Sequence, residues 1–92
     1  MTSTGYVKLK SGVECNSNDE YLNQFSNVGK CAEACKNKPG CNFFLYGTGW
    51  WTKGFCYWEK TSSASCPEGW GDYDYDFFQL TFGNTKYYIV KC

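Results

Sequence analysis

The chain reads as an α+β domain of the small, disulfide-rich class, built from one helix and about five strands. Three observations predict this. First, 92 residues suit a single domain. Second, seven cysteines in so short a chain imply a disulfide framework made in an oxidising compartment. Third, one segment repeats its apolar residues with helical spacing, while the others are short, aromatic and bounded by glycine. Seven Phe, eight Tyr and four Trp give this small domain an unusually large apolar area per residue. That surplus offsets the thin core expected at this size.

Residues 1–5 form a lead ahead of the domain at 6–82. Met1-Thr2-Ser3-Thr4-Gly5 lacks the basic start and apolar run of a secretory signal. The expectation is a mature extracellular domain preceded by an added start residue; a native cytosolic protein is the alternative, and a free-thiol count separates the two. Tyr6-Val7-Lys8-Leu9-Lys10 alternates apolar and polar, predicting a short first strand. The polar stretch from Ser11 to Ser26 is predicted as loop, tied down by Cys15, Tyr21, Leu22 and Phe25.

A helix is predicted over 28–37. Asn27 supplies an N-cap oxygen. Val28, Cys31, Ala32 and Cys35 fall at i, i+3, i+4 and i+7, a single stripe, with Lys30, Glu33, Lys36 and Asn37 opposite. Pro39 disfavours helical geometry at Lys38, and Gly40 permits a sharp reversal. Cys41–Tyr46 and Phe55–Glu59 then read as paired aromatic strands. Between them, a Gly-rich loop carries Trp50 and Trp51. A Ser- and Gly-rich excursion at 60–72 holds Cys66 and Trp70, and Tyr73–Phe82 forms a third main strand. Gly83-Asn84 suits a hairpin turn into an edge strand at Tyr87–Val90, so that 83–92 is a hairpin and tail ending in Cys92.

Cys31 and Cys35 lie one helical turn apart and can face one neighbouring sheet. A Cys35–Cys41 bond would close a short loop across the turn, and Cys56 is the natural reach for Cys31. Spacing alone leaves many connectivities open. The run Cys31-Ala32-Glu33-Ala34-Cys35, then Cys41-Asn42-Phe43-Phe44-Leu45-Tyr46, then Cys56-Tyr57-Trp58, resembles the PAN/apple domain pattern over about residues 15 to 80. That resemblance implies Cys31–Cys56 and Cys35–Cys41 bridges on a helix packed over a curved antiparallel sheet. It also implies an outer bridge, for which Cys15–Cys66 and Cys15–Cys92 both stand open. With the first, Cys92 is a free or intermolecular thiol.

Catalysis and cofactors find little footing. Histidine is absent, which removes every imidazole-based scheme. Phosphate-cradling glycine motifs are missing. The cysteine spacings, C-x3-C and C-x5-C, do not suit tetrahedral zinc. Asp72, Asp74 and Asp76 superficially suggest calcium, but an EF-hand loop starting there would place Phe77 where Gly belongs and Gly83 where Glu belongs. Alternation on a strand accounts for them instead, with Tyr73, Tyr75 and Phe77 on the other face. No cofactor and no metal are expected. Nine basic residues against nine acidic ones give no field for nucleic acid, and no apolar run approaches the ~20 residues of a membrane span.

Aromatic residues in the loops remain. Trp50, Trp51, Trp70 and Tyr73 are the expected ligand-binding residues, because flat rings beside Asp, Asn and Thr suit sugar stacking and serve equally as protein-interface anchors. In an extended segment Trp50 and Trp51 would face opposite ways, leaving at least one outward; Trp58, on a cysteine-bearing strand, is assigned to the core. The resemblance favours a secreted or cell-surface recognition module for a glycan or an extracellular protein. The main alternative is a structural subunit self-associating through its edge strand and Cys92. A third is an inhibitor or toxin scaffold presenting loop 47–54.

Overall fold

A computed structural model describes residues 4–81. The expected hairpin and tail at 83–92, including Cys92, lie outside the described residues. The order is β1 (Tyr6–Cys15), β2 (Asp19–Gln24), α1 (Val28–Lys36), β3 (Phe43–Gly47), β4 (Phe55–Glu59) and β5 (Trp70–Leu80). All pairings are antiparallel, in the spatial order β1-β5-β3-β4-β2.

This topology forces the sheet to curl. β1 and β2 occupy opposite edges, yet only residues 16–18 connect them. Four strand spacings of ~4.8 Å would hold the edges of a flat sheet ~19 Å apart. The chain from Cys15 to Asp19 spans at most about 14 Å. The edges must therefore approach, and register shifts at Lys8/Lys10, Ser11/Val13 and Tyr21/Asn23 supply the bends.

Helix α1 begins where Asn27 accepts a hydrogen bond from the Lys30 amide at 3.0 Å, satisfying one of the orphan donors of the first turn. Its buried stripe is Cys31, Ala32 and Cys35. The chain reverses at Gly40, whose φ of +92° a side chain would resist. Cys31–Cys56 and Cys35–Cys41 fasten the helix to the sheet. Of the two outer bridges left open above, the structure makes Cys15–Cys66. Under the helix, Phe44 and Phe78 stack at 5.0 Å, with Tyr6 edge-on to both. On the opposite face, Val13, Cys15, Phe43, Leu45, Cys66, Tyr75 and Phe77 form a second core.

Several boundaries differ from expectation. The segment expected as loop, 11–26, instead contains the second half of β1 and all of β2. β2 is an edge strand with little buried surface, so backbone pairing with β4, and not side-chain burial, holds it; alternation is weak for that reason. β5 starts at Trp70, three residues earlier than Tyr73, because Cys15, Glu14 and Val13 continue the ladder opposite Trp70, Gly71 and Asp72. Trp70 is thus a strand residue and not a loop residue.

Candidate functional site

Loop 47–54 joins β3 to β4 and is bound to β5 along one side. The Thr48 amide donates to the Asp74 carbonyl at 3.0 Å, and the Thr52 hydroxyl donates to the same carbonyl at 2.8 Å. That hydroxyl also accepts from the Gly49 amide at 2.9 Å. Gly54 N donates to the Gly47 carbonyl at 3.1 Å and Phe55 N to the Thr52 carbonyl at 2.9 Å. Thr52 is buried although polar, since its hydroxyl uses both its donor and an acceptor site. The backbone packs so closely that a methyl on Gly47 would overlap the Thr52 carbonyl, and one on Gly49 would meet the Asp74 side chain at 2.5 Å.

This anchoring consumes the polar backbone and leaves the two indoles outside. Trp50 is 76% exposed and Trp51 86% exposed. Their rings stack on each other with centroids 5.8 Å apart and planes 25° apart. The expectation that adjacent residues here point to opposite sides is corrected: the segment is a turn, so the alternation of an extended strand does not apply. Beside Trp50 an open groove of ≈ 560 Å³ runs over Tyr46, Gly47, Thr48, Gly49 and Lys53. A neighbouring depression shares Tyr46 and Lys53 and continues to Gln24, Phe25 and Ser26. The Tyr46 hydroxyl donates to the Phe25 carbonyl at 2.8 Å, and burial raises its pKa. Tyr46, Thr48 and Lys53 escaped the sequence reading; an aromatic, a hydroxyl and a cation flanking a Trp pair were the available signal.

The other expected contact residues are not gathered here. Trp70 stands four residues before Asp74 on β5, ~13 Å along the strand. It is half-buried, edge-on to Phe77 at 5.0 Å with the Lys10 ammonium 5.5 Å over its ring. That is a core-margin position. Tyr73 is 53% exposed and tilts against Tyr75 at 5.4 Å. Trp58 is partly buried against the helix-side core, with the Lys60 ammonium 4.4 Å over its ring.

The remaining ionisable groups are held in an ion pair, a disulfide and a buried carboxyl. Asp76 pairs with Lys8 at 3.6 Å. The sulfurs of Cys15 and Cys66 lie near Glu68, but they are bonded to each other and offer no thiolate. Glu59 is the most perturbed acid: burial raises its pKa to about 8, opposed by a hydrogen bond from Ser17 and reinforced by Asp19, Glu14 and Glu68. Its hydrogen-bond partner is the Ser17 hydroxyl, which donates to it at 2.6 Å, and the sequence holds no histidine to act with them.

A curled sheet, a helix held by two bridges and an aromatic surface without reactive partners define a small disulfide-stapled α+β module. A family model described as the PAN domain matches residues 5–82, and the chain belongs to the PAN domain family. PAN domains are extracellular modules for protein or carbohydrate interaction, generally without catalysis. No curated protein and no solved structure matches the chain. Among the described residues, no helix is long and apolar enough to cross a membrane.

Proposed function

We propose that this chain is a non-catalytic recognition module that acts outside the cell and holds a glycan against Trp50 and Trp51. The observation that carries the reading is the outward placement of both indoles on a loop braced against β5. Burying an indole stabilises a small domain more than burying almost any other side chain; leaving two adjacent ones in water forgoes that stabilisation. A binding partner recovers it. The ring faces suit the C–H face of a pyranose, while Thr48, Lys53 and the Gly47–Gly49 backbone offer polar groups for hydroxyls. Because the loop is braced by Asp74 and Thr52, little ordering entropy remains to be lost on binding.

A glycan array probed with the native chain and with the Trp50→Ala and Trp51→Ala variants tests this. The expected result is a defined set of bound sugars whose signal falls at least tenfold in each variant, with unchanged folding. No bound sugar, or binding indifferent to both variants, contradicts the reading. An extracellular protein array run beside it, yielding a partner lost in the same variants, would shift the ligand class from sugar to protein.

A further inference from the structure

A second cluster occupies the other end of the sheet, where the curl brings β1 and β2 together. Asp19 faces Glu59 across the β2–β4 register, and two residues along the same strands Tyr21 faces Tyr57. Glu14 immediately precedes Cys15, whose bond to Cys66 draws the 61–69 segment and Glu68 alongside. The carboxyl groups sense one another: Glu14 is raised by burial and by Asp19, Asp19 by burial, and Glu59 by burial with all three neighbours adding to it.

Among the described residues, none of these four acids has a cation partner. The ion pairs among the described residues are Lys8–Asp76, Lys38–Glu20 and Lys60–Glu20. Lys60, next in sequence to Glu59, lies over Trp58 on the helix side of the sheet. The second observation is Glu59 itself. The residue is fully buried; one oxygen accepts from the Ser17 hydroxyl at 2.6 Å, and the other, Oε1, has no partner. A buried oxygen without a partner is costly to a fold, and here it sits amid three further acids. Aromatic rings continue the surface: Tyr21, 51% exposed, contacts Tyr57 at 5.4 Å, and Tyr57 contacts Tyr75 at 5.8 Å.

We propose that this end of the sheet is a binding site for an organic cation, an alkylammonium or guanidinium head. Glu14 and Asp19 meet it at the rim, the free oxygen of Glu59 at the base, and the Tyr21 ring along its stem. Carboxylates recognise such heads by charge-assisted hydrogen bonds, and a tyrosine face attracts them through its quadrupole. A bare divalent ion fits less well. Glu14, Asp19 and Glu59 do not bring their oxygens within 4.8 Å of one another, a wider spread than the calcium coordination sphere requires. Seating the cation lowers the cost of a charge on Glu59, so binding near neutral pH releases the proton Glu59 holds.

The test is an NMR titration of the labelled native chain at pH 7 with butylammonium, butylguanidinium, and capped tripeptides centred on Lys or Arg. Saturable amide shifts at Glu14, Asp19, Tyr21 and Glu59 are expected, together with a Glu59 carboxyl midpoint that moves down when the probe is bound. Both rim acids are accessible, so Glu14→Gln/Asp19→Asn retains the native spectrum and weakens binding at least tenfold, while Trp51→Ala leaves it unchanged. Tighter binding of the tripeptides identifies a partner's side chain as the source; equal binding of the simple amines identifies a small molecule. The proposal is overturned by shifts that never saturate, by equal affinity in the double variant, or by calcium chloride giving the same shifts at lower concentration.

Discussion

Two tryptophan sites stand beside glycine, one inside loop 47–54 and one where segment 60–69 enters β5, and they meet opposite fates. Loop 47–54 is held by hydrogen bonds to Asp74 and within itself, and both of its indoles stand in water. Segment 60–69 is tied to β1 by Cys15–Cys66 and closes against the second core, leading into Trp70, which packs on Phe77. Sequence context is nearly the same in both. What differs is what lies beneath: a strand backbone already satisfied in the first case, an apolar floor of Phe43, Leu45 and Phe77 in the second. A tryptophan beside glycine therefore stays outward only where the sheet under it has no room left to bury it.

The largest expected effect sharpens that contrast through pH. Glu59 has a folded pKa of about 8 against an ordinary 4.5, so between those values the folded chain holds a proton that the unfolded chain has lost. Stability is therefore greatest below about pH 4.5 as far as this group is concerned, falls as pH rises, and levels above about pH 8, by on the order of 5 kcal/mol in all. Denaturant melts across that range should show the slope, and Glu59→Gln should flatten it; a slope that persists in the variant assigns it elsewhere. Trp70→Ala comes next, costing ~2–3 kcal/mol in the same melts for lost contact with Phe77 and the second core. Glycan binding should survive Trp70→Ala, and its loss there would merge the two regions.

Thr52→Val keeps the shape of the side chain but strands the Gly49 amide and removes one of the two donors to the Asp74 carbonyl. We expect ~1–2 kcal/mol of destabilisation, read by thermal melting, with lower tryptophan fluorescence anisotropy as the pair loosens. The smallest effect belongs to Lys8→Ala, which removes an ion pair between a half-exposed lysine and the largely covered Asp76 carboxylate and should change stability by less than ~1 kcal/mol. A larger loss would mean that the edge pairing of β1 with β5 depends on charge.

Much of the frame was legible because local chemistry and tertiary demand agree. Asn27, the Val28–Cys35 stripe and Gly40 mark the helix and its exit through caps and backbone geometry that act over a few residues. The aromatic strands announce themselves by composition. β2 was illegible because Asp19, Glu20 and Asn23 bury almost nothing, and its pairing with β4 depends on a curl imposed by topology. The joint outward placement of Trp50 and Trp51 was hidden too: it follows from a turn fixed by Thr52 and by the carbonyl of Asp74, more than twenty residues away. Glu59 closes an aromatic strand and reads as a solvated end residue. Only the approach of residues 16–18 and the Cys66 segment buries it.

Oxidative footprinting of the native chain, with and without the best-bound glycan from the array, bears most directly on the placement and use of the indole pair. Trp50 and Trp51 should label fast while Trp58 and Trp70 label slowly, and the sugar should protect the first two alone. Slow labelling of Trp50 and Trp51, or protection that falls on Trp70 and spares the pair, would contradict the account.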